Sequence, residues 1–293
     1  MTHPMASRNA PRRRLALCVA AALAVGGCES SGLGGRTTVP ESEQALSATS
    51  PTNIASLTDV VQRNPNDPQA YNMRGTVYGQ AGRHAEALAD FNKAIGLDPN
   101  YAQAYGNRGL IHRQTGKLDL ALADYNRALS IDPSYAAAYL GRGMVYRDQR
   151  QLILSLNDFN RSIALKPDSA QAYYNRGLLY QSQRQHQFAI DDFSTAVGLS
   201  PQQAEPLVAR GLSYLAIKDA KAAASDLDEA VSIEPQNVQA WTSRGFVYEQ
   251  LNDKEKAAGS YAKALNIRQN YEPAQAGFRR IGGQFGQPYQ TFN

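Results

Sequence analysis

Prolines stand at positions 65, 99, 133, 167, 201 and 235, every step 34 residues long. Arg-Gly pairs stand at 74–75, 108–109, 142–143, 176–177, 210–211 and 244–245, again 34 apart. Two ladders in phase over most of a 293-residue chain constrain the fold more than any local signal does. A fixed period of 20–50 residues means one supersecondary unit stacked on copies of itself.

One period holds two short helices. In residues 68–101, Tyr71, Gly75 and Tyr78 lie four and three apart, on one helical face. Gly82 ends that helix by accepting a left-handed backbone. Ala87, Phe91, Ala94 and Ile95 form the apolar stripe of a second helix, and Pro99 stops it. Asn100, with Ser134 and Asp168 at the same phase, is the expected N-cap of the next helix.

These residues resemble the tetratricopeptide repeat family. A bulky residue, then glycine, aromatic, alanine, aromatic, alanine and proline fall at Tyr71, Gly75, Tyr78, Ala87, Phe91, Ala94 and Pro99. The second, fourth and sixth repeats follow the pattern with His112 for one aromatic and Gln269 for the last proline. Ser155 and Ser162 replace alanines in the third repeat, and Leu207 and Leu227 replace aromatics in the fifth, so looser packing is expected there. The resemblance implies an all-α, right-handed α-solenoid of six helix pairs over 68–271. Half-repeats at 52–64 and 272–281 cap its open ends, giving a body over 54–281 and a mobile tail over 282–293. Gly75, Gly109, Gly143, Gly177, Gly211 and Gly245 are the expected close-approach points between paired helices.

Arginine precedes each of those glycines, and aspartate stands at 90, 124, 158, 192 and 226, with Ser260 in the sixth repeat. The spacing predicts an Arg–Asp ladder, and leaves open whether pairs form within or between repeats. Stabilising pairs explain it better than a ligand site does.

The N-terminal segment reads differently. Arg8, Arg12, Arg13 and Arg14 are the charged side chains before residue 28. Residues 15–25, LALCVAAALAV, are too short to span a bilayer and fit the h-region of a signal peptide over 1–27. Residues 23–28, LAVGGC, resemble a bacterial lipobox ending at Cys28, whose thiol would take the lipid. An ordinary signal peptide or a retained short anchor is the competing reading, and the arginines also suit a twin-arginine route. Glu29, in place of aspartate, implies by the same resemblance an outer-membrane lipoprotein facing the periplasm. Residues 28–53 read as a Ser/Gly/Thr/Pro-rich linker, spanning roughly 25–30 Å if flexible.

The formal charge is +4. Removing the four leader arginines leaves a body near zero, without an electrostatic footprint for nucleic acid. No cysteine follows Cys28, which excludes a disulfide framework and a thiolate zinc site from the body. No HExxH, phosphate loop or GxSxG occurs. His112 fits packing, and His84 and His186 are expected to be exposed. No cofactor, metal or catalytic constellation is expected, and no enzyme; function must come from a surface.

In arrays of this family the first helices line a groove for peptides or helices. One groove-facing phase holds Thr76, Leu110, Met144, Leu178, Leu212 and Phe246. A second holds Asn72, Gly106, Leu140, Tyr174, Val208 and Thr242, and a third Gly79, Arg113, Arg147, Gln181, Leu215 and Glu249. The lysine–asparagine clamp of chaperone-binding members is absent. The expected partner site is Leu140, Met144, Tyr174, Leu178, Val208 and Leu212, with Arg113 and Arg147 steering acidic residues. Whether the Leu/Met/Phe phase belongs to groove or core stays open. The resemblance implies a lipid-anchored protein–protein interaction scaffold that recruits peptidoglycan hydrolases or proteases. The alternative is an assembly factor for an outer-membrane pilus or secretion channel. Oligomeric state is open.

Overall fold

The computed structural model describes residues 49–283. The leader, Cys28 and the tail beyond Gly283 lie outside the described residues. Fourteen α-helices, and no strand, are found among the described residues. A single helix α1 (Pro51–Arg63) precedes six pairs: α2 (Pro68–Gln80) with α3 (His84–Leu97), α4 (Ala102–Gln114) with α5 (Leu118–Ile131), and α6 (Ala136–Asp148) with α7 (Leu152–Leu165). Then come α8 (Ala170–Ser182) with α9 (His186–Leu199), α10 (Ala204–Ala216) with α11 (Ala220–Ile233), and α12 (Val238–Gln250) with α13 (Lys254–Ile267). Helix α14 (Glu272–Arg280) closes the array. Each helix packs on its neighbours in sequence, and first helices of successive repeats also touch. This is the all-α solenoid.

Local chemistry shows why the helices start and stop where they do. Helix α1 begins at Pro51, three residues before the expected boundary, because Ser50 accepts from the Asn53 N–H and proline suits the first turn. Asn100, Ser134 and Asp168 are not the N-caps; Tyr101, Tyr135 and Ser169 are. Asn100 and Ser134 instead donate backbone N–H to Asp98 and Asp132, which hold the turn before the cap. Gly82 and Gly116 end the first two first-helices with positive φ, and Arg150, Arg184, Lys218 and Asn252 take the same conformation at the same phase.

The core is the seam between paired helices. Phe91, Phe159 and Phe193 are fully buried against the glycine of the facing first helix. A Cβ on Gly75, Gly143 or Gly177 would stand 2.6–2.8 Å from that ring, and one on Gly245 2.7 Å from the ring of Tyr261, closer than side chains pack. The fifth repeat is not loose: Leu207 and Leu227 are fully buried in the largest apolar cluster. Nor does the third leave its serines unsatisfied. Ser155 donates to the Gly143 carbonyl and Ser162 to that of Ala136. His84 and His186 are half-buried rather than exposed. Burial holds the His112 imidazole below its ordinary pKa, against the opposing pull of Asp124, as packing requires.

Two repeats place tyrosine on the seam, and each meets a second glycine. The Tyr125 ring lies across Gly141 as well as Gly109, and the Tyr261 ring across Gly277 as well as Gly245. The positions equivalent to Gly141 and Gly277 hold Asn107, Asn175, Ala209 and Ser243 where the seam residue is Phe91, Phe159, Phe193 or Leu227. The extra hydroxyl therefore goes with the loss of the facing Cβ.

The Arg–Asp pairs form within repeats. Arg74, Arg108, Arg142, Arg176 and Arg210 each donate Nε and Nη2 to both carboxylate oxygens of the aspartate sixteen residues on, at 2.5–2.9 Å. The third nitrogen, Nη1, reaches the preceding repeat: Asn92, Asn126 and Asn160 accept at 2.7 Å, Ser194 at 3.1 Å and Thr58 at 3.5 Å. The hydrogen bond to aspartate raises each guanidinium pKa against the opposing effect of burial. Arg74, Arg142, Arg176 and Arg244 also lie between two aromatic rings at 4.7–6.0 Å. In the sixth repeat the acceptors exchange places. Arg244 donates Nη1 to Ser260 within its repeat and Nε to Asp228 of the repeat before, at 2.6 and 2.7 Å.

Two expectations follow for stability. Gly141→Ala should cost about 1–3 kcal/mol by overpacking, and Tyr125→Phe should recover most of that loss in a double-mutant cycle read by chemical denaturation. Asp228→Asn should lower the denaturation midpoint by leaving Arg244 without a carboxylate. Adding Ser260→Asp should restore it, because the carboxylate returns to the place it holds in the other five repeats.

Candidate interaction face

The six first helices present the three phases as stripes at three depths. The first phase reaches the surface: Leu110 and Phe246 are 40% and 38% exposed, and Met144, Leu178 and Leu212 are half-buried. The second phase lies deeper. Leu140 and Val208 are only 8% and 5% exposed and belong to the core, which corrects their placement as surface anchors. Leu140 packs with Phe159, Ala172 and Leu179 between repeats three and four. Tyr174, of the same phase, stays half-buried, its ring 5.9 Å from that of Phe193.

The third phase is a row of latches between first helices. Arg113 Nε donates to Asp148 at 2.9 Å, so the arginine expected to steer acidic residues is paired with a carboxylate of the next first helix. Arg147 Nη1 donates to the Asn175 side-chain and backbone oxygens at 3.0 and 3.4 Å, and burial lowers its pKa. Gln181 donates to the Ala209 carbonyl and to Ser213 Oγ. Glu249 accepts two hydrogen bonds from Arg280 and one from Tyr261, which fixes α14 on α12.

Where the latches leave room, the face opens. A recess open to solvent is lined by Tyr174, Leu178, Val208 and Leu212, with Gln181, Glu205, Asn237 and Gln239 as its polar edge. Ala209 also lines it, and of these five residues Tyr174, Leu178 and Leu212 are half-buried while Val208 and Ala209 are buried. Burial raises the Tyr174 pKa, reinforced by Glu205 and opposed by Arg147, so the phenol stays protonated. A second open recess lies between α2 and α4, lined by Thr76, Leu110 and Ile111. Met144 lies outside both recesses and packs against the core between them. The polar edge at Glu205 and Gln239 went unremarked in the sequence, because neither residue shares a phase with the apolar stripe. An apolar floor with spaced hydrogen-bonding groups suits a peptide segment that inserts one or two side chains and pairs its polar groups along the edge.

Models described as "Tetratricopeptide repeat" match residues 54–102, 72–136, 208–273 and 170–203, and one described as "TPR repeat" matches 143–183. No curated protein matches the sequence. Among solved structures, the APC/C hetero-tetramer Cut9–Hcn1 aligns at TM-score 0.70 with 21% identity, over 78% of this chain and 45% of that one, so this chain spans under half of it. PilF of Pseudomonas aeruginosa aligns at 0.66 with 18% identity, over 75% and 99%. YrrB, described as a TPR protein with an unusual peptide-binding site, aligns at 0.53 with 24% identity, over 64% and 97%. With six phased helix pairs and family models covering most of the array, the chain belongs to the tetratricopeptide repeat family.

Proposed function

We propose that the protein is a non-catalytic envelope adaptor, held to the membrane by a lipid on Cys28, that captures a peptide or helix of a partner protein on the face of its first helices. Arrays of this family are protein–protein interaction scaffolds. The observation that carries the reading here is the recess over Tyr174, Leu178 and Leu212, an apolar floor across repeats four to six with a polar edge. The tether reading rests on the succession of arginines, an eleven-residue apolar run and LAVGGC. Recruitment of peptidoglycan hydrolases or proteases at the outer membrane is the role that suits an anchored scaffold. The pilus-assembly alternative draws on likeness to PilF and to PilW, described as a type IV pilus biogenesis factor, but at 18% and 17% identity that likeness speaks to the fold alone.

Mass spectrometry of the mature N-terminus should find cleavage between residues 27 and 28 and acyl chains on Cys28. Cys28→Ser should move the protein from the membrane to the soluble fraction, since one covalent lipid would be its anchor. An unmodified Cys28 overturns the tether.

A photo-crosslinking residue at Leu178 or Leu212 should join the protein to one partner in intact cells, while the same residue at Lys93, exposed on α3, should not. Leu178→Gln with Leu212→Gln should abolish that product and leave the thermal melt within a few degrees, because both side chains are only half-buried. Equal crosslinking from all three positions would sink the groove.

A further inference from the structure

The turns that join the two helices of each repeat line one edge of the array. In repeats two to five that edge carries Lys117, Arg150, Arg184 and Lys218, all exposed and none in an ion pair with a described residue. Arg150, Arg184 and Lys218 stand 34 residues apart, and each holds a left-handed backbone with φ of 59–68°. Gly82 and Gly116 occupy the same phase in the first two repeats. Glycine suits that conformation best, so the three cations stand there against local preference. Across residues 115–121, 149–155, 183–189 and 217–223, five lysines or arginines face two aspartates, Asp119 and Asp219. The end repeats lack this surplus: Arg83 is paired with Glu86 in the first, and Asp253 and Glu255 flank Lys254 in the sixth.

Apolar side chains project from the same edge. Leu120, Ile153, Leu154 and Phe188 lie in the first turn of the second helices of repeats two, three and four, three or four residues after a cation. Ile153 is 78% exposed, Phe188 59% and Leu120 51%. None of them lines a recess of the first helices.

We propose that this edge rests on the surface of an anionic lipid bilayer. The four apolar side chains enter the headgroup region, and the four unpaired cations meet lipid phosphates. Separate apolar projections flanked by lysine and arginine are the pattern of an interfacial contact. The apolar side chains expose roughly 400 Å², about half of what one side brings to a standard protein interface of about 1,600 Å² in all. Lipid needs no such packed area, because it yields around each inserted side chain and every cation near an anionic surface adds its own attraction. No described helix is long and apolar enough to cross a bilayer, so the contact stays at the surface. It stands with or without a lipid on Cys28, and it leaves the first-helix recesses free for a partner.

Brominated lipids quench a tryptophan only at close range, so they report contact and not mere tethering. The full chain carrying Phe188→Trp is mixed with vesicles of brominated phosphatidylglycerol or of brominated phosphatidylcholine. Signals are read as the difference from the parent, which already holds Trp241. The added tryptophan should be quenched and blue-shifted on phosphatidylglycerol and unchanged on phosphatidylcholine. Gln202→Trp, exposed at a turn on the opposite edge, should respond to neither lipid. Arg150→Gln with Arg184→Gln should lower the docked-to-free ratio about thirtyfold, since each cation near an anionic surface is worth about fivefold. Ile153→Asp should also release the edge and leave the helical melt unchanged, because that side chain is so exposed. Equal quenching on both lipids, quenching at both edges, or indifference to loss of the arginines overturns the proposal. No quenching on either lipid overturns it too, and passes the edge to an acidic protein instead.

Discussion

The array is organised around a half-buried guanidinium on a buried carboxylate. An arginine side chain cannot be deprotonated in a protein and carries five donors in a fixed fork. Placed half-buried on a first helix, it needs a carboxylate and further acceptors to offset the water it gives up. The chain meets that demand from both sides: a bidentate aspartate on the partner helix and a neutral acceptor on the helix of the repeat before. One side chain therefore sets the distance and axial register of three helices. Pairs of this kind specify arrangement more than they add stability. The sixth repeat shows which part of the requirement is physical. Its carboxylate, Asp228, comes from the neighbouring repeat, and Ser260 fills the place that aspartate holds elsewhere. Only the neutralisation is fixed; which helix supplies it is not.

Much of this was legible in the sequence because a repeat prints its constraints at a fixed phase. The helix pairs, the glycine seam and the existence of an Arg–Asp ladder all follow from periods of 34. What period cannot give is depth. Leu140 and Met144 lie four residues apart, hence about 40° apart around the helix axis. That small rotation divides a buried residue from a half-buried one packed on the same core, and the curvature and spacing of neighbouring helices decide where the division falls. The same limit applies to Arg113: its phase was visible, but its pairing with Asp148 depends on a residue 35 positions away that shares no ladder with it. Caps were misplaced by one residue because aspartates 98 and 132 take over the turn donors that a capping side chain at 100 or 134 would otherwise satisfy.

The connections between paired helices show how far packing governs local backbone. The residue after the first-helix C-cap adopts a left-handed conformation in all six repeats, yet only Gly82 and Gly116 are suited to it without steric cost. Arg150, Arg184, Lys218 and Asn252 hold the same geometry. The backbone N–H of the next residue bonds each time to a carbonyl in the last turn of the first helix, at Tyr146, Tyr180, Tyr214 and Tyr248. The left-handed residue costs roughly 1–2 kcal/mol without glycine, and the seam on either side is strong enough to impose it. Tertiary contact thus overrides propensity at these turns.

Internal repetition also separates structure from function without reference to any other protein. Positions that answer to the node or the seam barely vary: arginine and glycine occur six times in six, and aspartate five. Positions free of both drift from repeat to repeat. The latch phase runs Gly79, Arg113, Arg147, Gln181, Leu215, Glu249, and the second-helix stripe runs Glu86, Leu120, Leu154, Phe188, Ala222, Lys256. A solenoid's fold depends on neighbours of the same kind, so only the freely varying stripes can distinguish one end of the array from the other. A partner that binds in a single register must read those stripes. Leu178 and Leu212 differ from Thr76 at the same phase, so the recess over repeats four to six is lined differently from the one between α2 and α4. The scaffold's sameness gives a face of fixed spacing, and its departures from sameness give that face an address.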